Sequence, residues 1–201
     1  MKIRPAALLI YVNAFVIGGV LMGFEMLGSR YLNPYFGSGI GTWASLISVV
    51  LCALAFGYFA GGMIVDRHPS PRVLTFAVAL AAVYLAVIPP AADALLALIL
   101  DILGDGPAGI LAASAALLLI PLTLLGTLSP MAVRLLLRST KETGRISGLV
   151  YGISTMGNVF GTLFTTFVLI PAIGSRSITY LYALLLALCA FSLYFCPRKE
   201  K

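Results

Sequence analysis

Six stretches of this chain run for about 20 residues each with almost no charge, at roughly 6–29, 42–65, 73–90, 109–133, 146–170 and 177–196. A helix rises ~1.5 Å per residue, so ~20 apolar residues match the ~30 Å hydrocarbon core of a bilayer. Inside that core every backbone N–H and C=O must find a partner within the protein, which leaves helices as the reading for such runs. The composition agrees, with 61% hydrophobic and 10% charged residues, where a soluble domain is about half apolar and a quarter charged. The expected fold class is therefore an all-α integral membrane protein, a six-transmembrane helix bundle in a single polytopic domain, 1–201. The six runs use most of the chain and leave short connections, so no soluble catalytic domain, no cofactor and no metal site is expected. The first run follows Lys2 and Arg4, but it exceeds the ~7–15 apolar residues of a signal peptide and reads as a permanent first span.

Lys and Arg placement sets the orientation. With the N-terminus cytoplasmic, the inner side receives Lys2, Arg4, Arg67, Arg72, Arg134, Arg138, Lys141, Arg145, Arg198, Lys199 and Lys201, and only Arg30 and Arg176 fall outside. The third connection holds Asp93, Asp101 and Asp105 with no basic residue. The net charge of +6 is thus a topology signal beside anionic lipid, and no nucleic-acid partner is expected. The expected location is a bacterial inner (plasma) membrane, multi-pass, with both termini cytoplasmic. Cys52, Cys189 and Cys196 show no spacing of a disulfide framework, and the lone His68 reads as solvated.

Six spans divide as 3+3, and an odd number per half forces inverted topology. The joint is expected in an outer connection over 90–108, marked by Pro89-Pro90, Gly104 and Gly106-Pro107. Its middle, DALLALILDIL, reads as a short helix on the outer surface. Gly19-x-x-x-Gly23, Gly57-x-x-x-Gly61 and Gly157-x-x-x-Gly161 let backbones approach closely, within one chain or at a dimer seam. Pro121 and Pro130 each remove a backbone donor, so span 4 is expected to kink near Thr127-Leu128-Ser129-Pro130.

Polar residues within the spans are the candidate site. In span 5, Tyr151, Thr155, Asn158, Thr162 and Thr165 recur at spacings of 4, 3, 4 and 3, one helix face; Val150, Val159, Leu163 and Phe167 are expected on the other. The threonines read as interhelical glue, and Asn158 as the member closest to a functional role. Thr123, Thr127, Pro130 and Arg134 form a shorter echo in span 4, with Arg134 snorkelling at the inner interface. Span 2 offers Ser45, Ser48, Cys52 and Tyr58, and Trp43 fits an aromatic belt. Glu25 is the one carboxylate in span 1. It is expected to face the bundle or a wet cavity, toward the outer end. It either pairs with Arg30 or Arg176 or binds a cation or a proton. Arg30, five residues on, is poorly spaced for a pair on one helix.

Two resemblances follow from longer motifs. GGMIVDRHPSPR resembles the loop between helices 2 and 3 of major facilitator transporters, matching at Gly62, Asp66 and Arg67. Pro69 and Ser70 stand where that pattern has Gly and a basic residue. FEMLGSRYLNPYFGSGIGTWASL, ALAFGYFAGGMIVDR, LLGTLSPMAVRLL and GRISGLVYGISTMGNVFGTLFTTFVLIPAIGSR look like the membrane part of the fused major-facilitator/spermidine-synthase-like proteins. Glu25, Ser29, Arg30, Trp43, Asp66, Arg134, Tyr151, Thr155 and Asn158 fall within those motifs. The resemblance implies half of a major-facilitator bundle beside a cytoplasmic aminopropyltransferase-like domain. This chain reads on only to Cys-Pro-Arg-Lys-Glu-Lys after span 6, and no activity of that domain is carried over.

The resulting expectation is a small transporter or permease for a polyamine-like organic cation. Glu25, Arg30, Tyr151, Thr155 and Asn158 would meet the ligand, and Asp66, Arg67, Ser129, Pro130 and Arg134 would form a gating or structural loop. Six helices make a thin wall, so a homodimer is expected to complete a twelve-helix arrangement. The alternative is a non-transporting membrane subunit that docks a soluble aminopropyltransferase-like subunit through the basic 134–145 loop. A weaker one is lipid handling at Glu25 and Arg30.

Overall fold

Each chain reversal is written in local chemistry. The computed structural model describes residues 5–137, 139 and 142–195. Lys2, Arg4, Arg138, Lys141, Cys196, Arg198, Lys199 and Lys201 lie outside the described residues. Helix α1 (Pro5–Phe36) ends at Gly37, whose φ of 71° is open to glycine. Helix α2 (Ile40–Arg67) follows after three residues and α3 (Pro71–Leu103) after three more. Ser70 caps α3, its hydroxyl accepting from the Arg72 N–H at 3.3 Å, and Pro71 supplies a first-turn residue that needs no donor. Gly104, φ 70°, stops α3, and Pro107 opens α4 (Pro107–Gly126). A one-residue break at Thr127 separates α4 from α5 (Leu128–Leu136). Helix α6 (Thr143–Phe164) runs into a π-helical turn, Thr165–Leu169, and the short α7 (Ile170–Ala172), and α8 (Ser175–Tyr194) is the last. The described residues contain no strand.

Six helical segments are long and apolar enough to cross a membrane: Ala7–Phe36, Ile40–Arg67, Pro71–Leu103, Pro107–Leu136, Thr143–Ala172 and Ser175–Tyr194. The chain is thus a six-helix, multi-pass membrane bundle. One end carries the connections at 37–39, 104–106 and 173–174, here the Asp93 end. The other carries 68–70 and 137–142, here the Asp66 end.

Two sequence expectations change. Span 3 does not stop near residue 90, and DALLALILDIL is no separate surface helix: α3 continues through Pro89 and Pro90 to Leu103. The two prolines leave the carbonyls four residues earlier without intrahelical donors. The buried stripe nonetheless carries on through Leu85, Ile88, Ala92 and Leu96, so packing against α8 and α4 holds the helix together. Span 4 does break where Thr127 and Pro130 predict. Pro130 has no N–H for the Gly126 carbonyl, and Thr127 turns its hydroxyl back to the Leu124 carbonyl at 2.7 Å.

The packing follows a pattern. Span 1 (α1) packs chiefly on span 5 (α6), span 2 (α2) on span 4 (α4–α5), and span 3 (α3) on span 6 (α8). Next come α3 with α4 and α1 with α8. Exchanging spans 1–3 for spans 4–6 leaves this set of neighbours unchanged. The glycines show the same relation at atomic scale. A Cβ on Gly57 or Gly61 would strike the backbone of Thr123, Gly126 and Thr127, and one on Gly157 or Gly161 would strike that of Phe15 and Gly19. The glycine repeats therefore close seams within one chain, which takes them out of a dimer seam.

Candidate functional site

Helices α2 and α6 stand apart on either side of α1 and α4–α5. They are the least enclosed spans, with 28% and 17% of their apolar windows buried against 44–50% for the other four. Between them runs a groove floored by α1, α4 and α5. At its centre Ile17, Gly18 and Leu21 of α1 meet Leu54 and Tyr58 of α2 around a void of about 30 Å³, enough for one water. Leu125, Gly126, Leu128 and Ser129 close the floor, and Ser154 and Asn158 the α6 side. Toward the Asp66 end the groove opens into a vestibule of about 290 Å³. Asp66 and Gly62 lie on its α2 wall, Pro130, Val133 and Arg134 on α5, and Ser147 and Tyr151 on α6.

The centre of the groove obeys the same exchange as the packing. Ile17 corresponds to Leu125, Gly18 to Gly126 and Leu21 to Ser129; Leu54 corresponds to Ser154 and Tyr58 to Asn158. All ten line the one void, which places it where the two triple-helix units meet.

The span 5 polar face is real but divided. Asn158, with its amide oriented so that nitrogen is the donor, reaches the Gly18 carbonyl at 2.8 Å and the Ser154 carbonyl at 3.2 Å. Gly18 admits this contact because a Cβ there would strike both residues. Asn158 therefore joins α6 to α1 while its side chain borders the void. Thr162 donates to the Asn158 carbonyl at 2.9 Å. Thr165 is fully buried, bonded to the Gly161 carbonyl at 2.5 Å and to the Tyr182 hydroxyl. Tyr151 and Thr155 are exposed on the groove side. Val159, Leu163 and Phe167 face outward, but Val150 does not: it is fully buried.

Glu25 is 8% exposed, and among the described residues no hydrogen bond or ion pair meets its carboxylate. The pair with Arg30 does not form; Arg30 is exposed. Nor does the pair with Arg176, which instead bonds Asp93 and ties the Asp93 ends of α3 and α8 together. Gly18, Leu21 and Glu25 are spaced 3 and 4 along α1, so Glu25 continues the stripe that floors the groove. Helix α1 runs on to Phe36, so Glu25 lies about 16 Å short of the helix end at ~1.5 Å per residue, deeper than a span ending near 29 implies. Because Gly19 lies against Gly157 and Gly161, and Gly23 against Thr165, Glu25 is level with the π-helical turn. There the Thr166 hydroxyl is buried without a partner.

Asp66, Pro130 and Arg134 share the vestibule, and Ser129, 6% exposed, lies deeper, at the void. Asp66, Arg67 and Arg134 are exposed and form no ion pair among the described residues. The sequence reading passed over a second polar set. Asn13 and Ser192 exchange hydrogen bonds at 2.9 and 3.2 Å, and Tyr31 bonds Thr179 at 2.9 Å, both between α1 and α8. Tyr84 donates to the Ala116 carbonyl at 2.5 Å between α3 and α4. Asn13, alone in the first half of an apolar run, is the one member that sequence alone marks. No family model, curated protein or solved structure matches this chain.

Proposed function

We propose that the chain is a permease half for a small organic cation, with Glu25 as the cation-binding carboxylate. One observation carries the reading: a nearly buried acid on the groove stripe of α1 has no partner among the described residues. Leaving a lone carboxylate among apolar spans costs roughly 2.5–3.5 kcal/mol on insertion scales. A ligand that brings a positive charge removes that cost. The resemblance to the membrane part of fused major-facilitator/spermidine-synthase-like proteins makes polyamines the first cations to test.

The groove is open along α2 and α6, and a second copy set against those two helices would close it. Their low burial supports this, as do the polar side chains Ser48, Tyr58, Tyr151 and Thr155 that they expose beside the groove, since lipid offers such groups no partners. By the Lys and Arg distribution the Asp66 end is cytoplasmic, as are both termini.

The test is uptake of radiolabelled spermidine and putrescine into proteoliposomes, for the wild type beside Glu25→Gln. The expected result is saturable uptake that the variant loses. Absence of uptake above protein-free liposomes, with the protein folded, would overturn the permease reading. It would turn attention to a docking role for the 134–145 loop, where Arg138 and Lys141 are the residues to reverse in charge.

A further inference from the structure

The groove has two ends, and the vestibule opens at the Asp66 end. The exchange that pairs Gly18 with Gly126 and Tyr58 with Asn158 also pairs the ends, because spans 1 and 4 run in opposite directions, as do spans 2 and 5. Eight residues past Gly126 stands Arg134, and eight past Gly18 stands Met26; Glu25 corresponds in the same way to Val133. Eight residues past Tyr58 stands Asp66, and eight past Asn158 stands Thr166. Val133, Arg134 and Asp66 all line the open vestibule. Their counterparts Glu25, Met26 and Thr166 are thereby assigned to one region at the opposite end.

Two independent observations mark that region. Glu25 is 8% exposed and its carboxylate has no partner among the described residues, and the Thr166 hydroxyl is buried with none. The contacts of α1 with span 5 set both side chains at the same level, without appeal to the exchange. Charge separates the two ends. The vestibule holds one acid and one base, Asp66 and Arg134. The opposite region keeps an acid, Glu25, but has Met26 in the place of the arginine.

We infer that Glu25 and Thr166 form a binding site, the two-fold counterpart of the vestibule, for a single monovalent cationic group. The carboxylate cancels one positive charge, and the hydroxyl oxygen accepts an ammonium N–H or coordinates an alkali-metal ion. A divalent metal ion would leave a net charge in the bundle interior, which is unfavourable there, so only one ammonium end of a polyamine would sit at the carboxylate. The inference rests on the reading of Glu25 as a cation site, not on transport.

The experiment is equilibrium binding of radiolabelled methylammonium and of radiolabelled sodium ion to the purified, folded protein in detergent. The variants are Glu25→Gln, Met26→Arg, Met26→Leu and Thr166→Val. The wild type is expected to bind one equivalent of one probe, and which probe binds distinguishes an ammonium head from an alkali ion. Met26→Arg supplies the missing base, so it and Glu25→Gln should each weaken binding at least tenfold, and Met26→Leu should bind as the wild type does. Thr166→Val, which replaces a hydroxyl by a methyl, should weaken binding several-fold and carries the test should the arginine disturb folding. Undiminished affinity in both Met26→Arg and Thr166→Val would overturn the site, as would a wild type that binds neither probe. Binding with this variant pattern but without liposome uptake would leave the site standing and remove the permease.

Discussion

The exchange of the two triple-helix units can be tested with three alanines. A Cβ at Gly157 would land on the Phe15 carbonyl, and one at its counterpart Gly57 would land on the Thr123 carbonyl and 2.9 Å from Gly126 Cα. In both cases the obstacle is backbone, which cannot rotate away. A Cβ at Gly148, on the same helix as Gly157, would meet nothing within 4 Å. Gly→Ala in a helix gains ~0.5–1 kcal/mol from propensity. Overpacking a closed seam costs ~1–3 kcal/mol. Gly148→Ala should therefore stabilise by ~0.5–1 kcal/mol. Gly157→Ala and Gly57→Ala should fall between neutral and ~2.5 kcal/mol destabilised, the difference of those two terms. The assay is reversible unfolding in mixed micelles by added dodecyl sulfate, followed by circular dichroism and by fluorescence of the single tryptophan, Trp43. The reasoning fails if Gly157→Ala is as stable as Gly148→Ala. It also fails if Gly57→Ala and Gly157→Ala differ in sign, because the two glycines would then not hold equivalent seams.

Further outcomes follow from the polar seam and the topology. Tyr182→Phe removes the bond to Thr165, which keeps its bond to the Gly161 carbonyl; the expected cost is ~0.6 kcal/mol, typical of interhelical bonds in membranes, in the same unfolding assay. Asp93→Asn breaks an ion pair whose side chains are each 59% exposed, so it should cost at most ~1 kcal/mol and cost less as salt rises. In a cysteine-free background, Ser70→Cys should react with an impermeant thiol reagent only from the cytoplasmic side and Asp105→Cys only from the other; the reverse pattern would invert the assigned orientation.

The spans were legible because apolar runs of ~20 residues have one solution in a bilayer. Their ends were less so. Pro89-Pro90 reads locally as a stop, but a proline pair in a membrane helix survives where neighbouring helices cover it, and that cover comes from α4 and α8, far along the chain. The break at Thr127 was legible, since Pro130 acts on its own preceding turn. Glu25 was legible as an oddity, but not that neither arginine pairs with it. Arg176 lies across a short connection from span 5, and only the packing of α3 on α8 hands it to Asp93. The inverted 3+3 division was legible from the number of spans, but the residue-by-residue correspondence was not. Packing conserves size where backbones touch, so Gly18 and Gly126 match, as do Gly57 with Gly157 and Gly61 with Gly161. Elsewhere in the same void Leu21 faces Ser129 and Tyr58 faces Asn158 as counterparts, and no similarity scale aligns those.

The polar groups inside the bundle divide by where they sit, and the division bears on where the proposed cation would bind. Between α1 and α8, Asn13, Tyr31, Ser192 and Thr179 all have partners. Those seams are closed, and hydrogen bonding there serves only to hold helices together. Along the groove, Asn158 reaches the backbone of α1, Tyr58, Ser129 and Ser154 border the void, and Asp66 and Arg134 line the vestibule; the side chains left without partners toward the Asp93 end include Glu25 and Thr166, and Ser114 on α4 is another buried hydroxyl without one. A carboxylate kept without a base in an apolar bundle works against stability. Met26 occupies the position where the other half of the same fold carries Arg134, so no base stands at that position beside Glu25. The missing charge is what the proposed cation would supply.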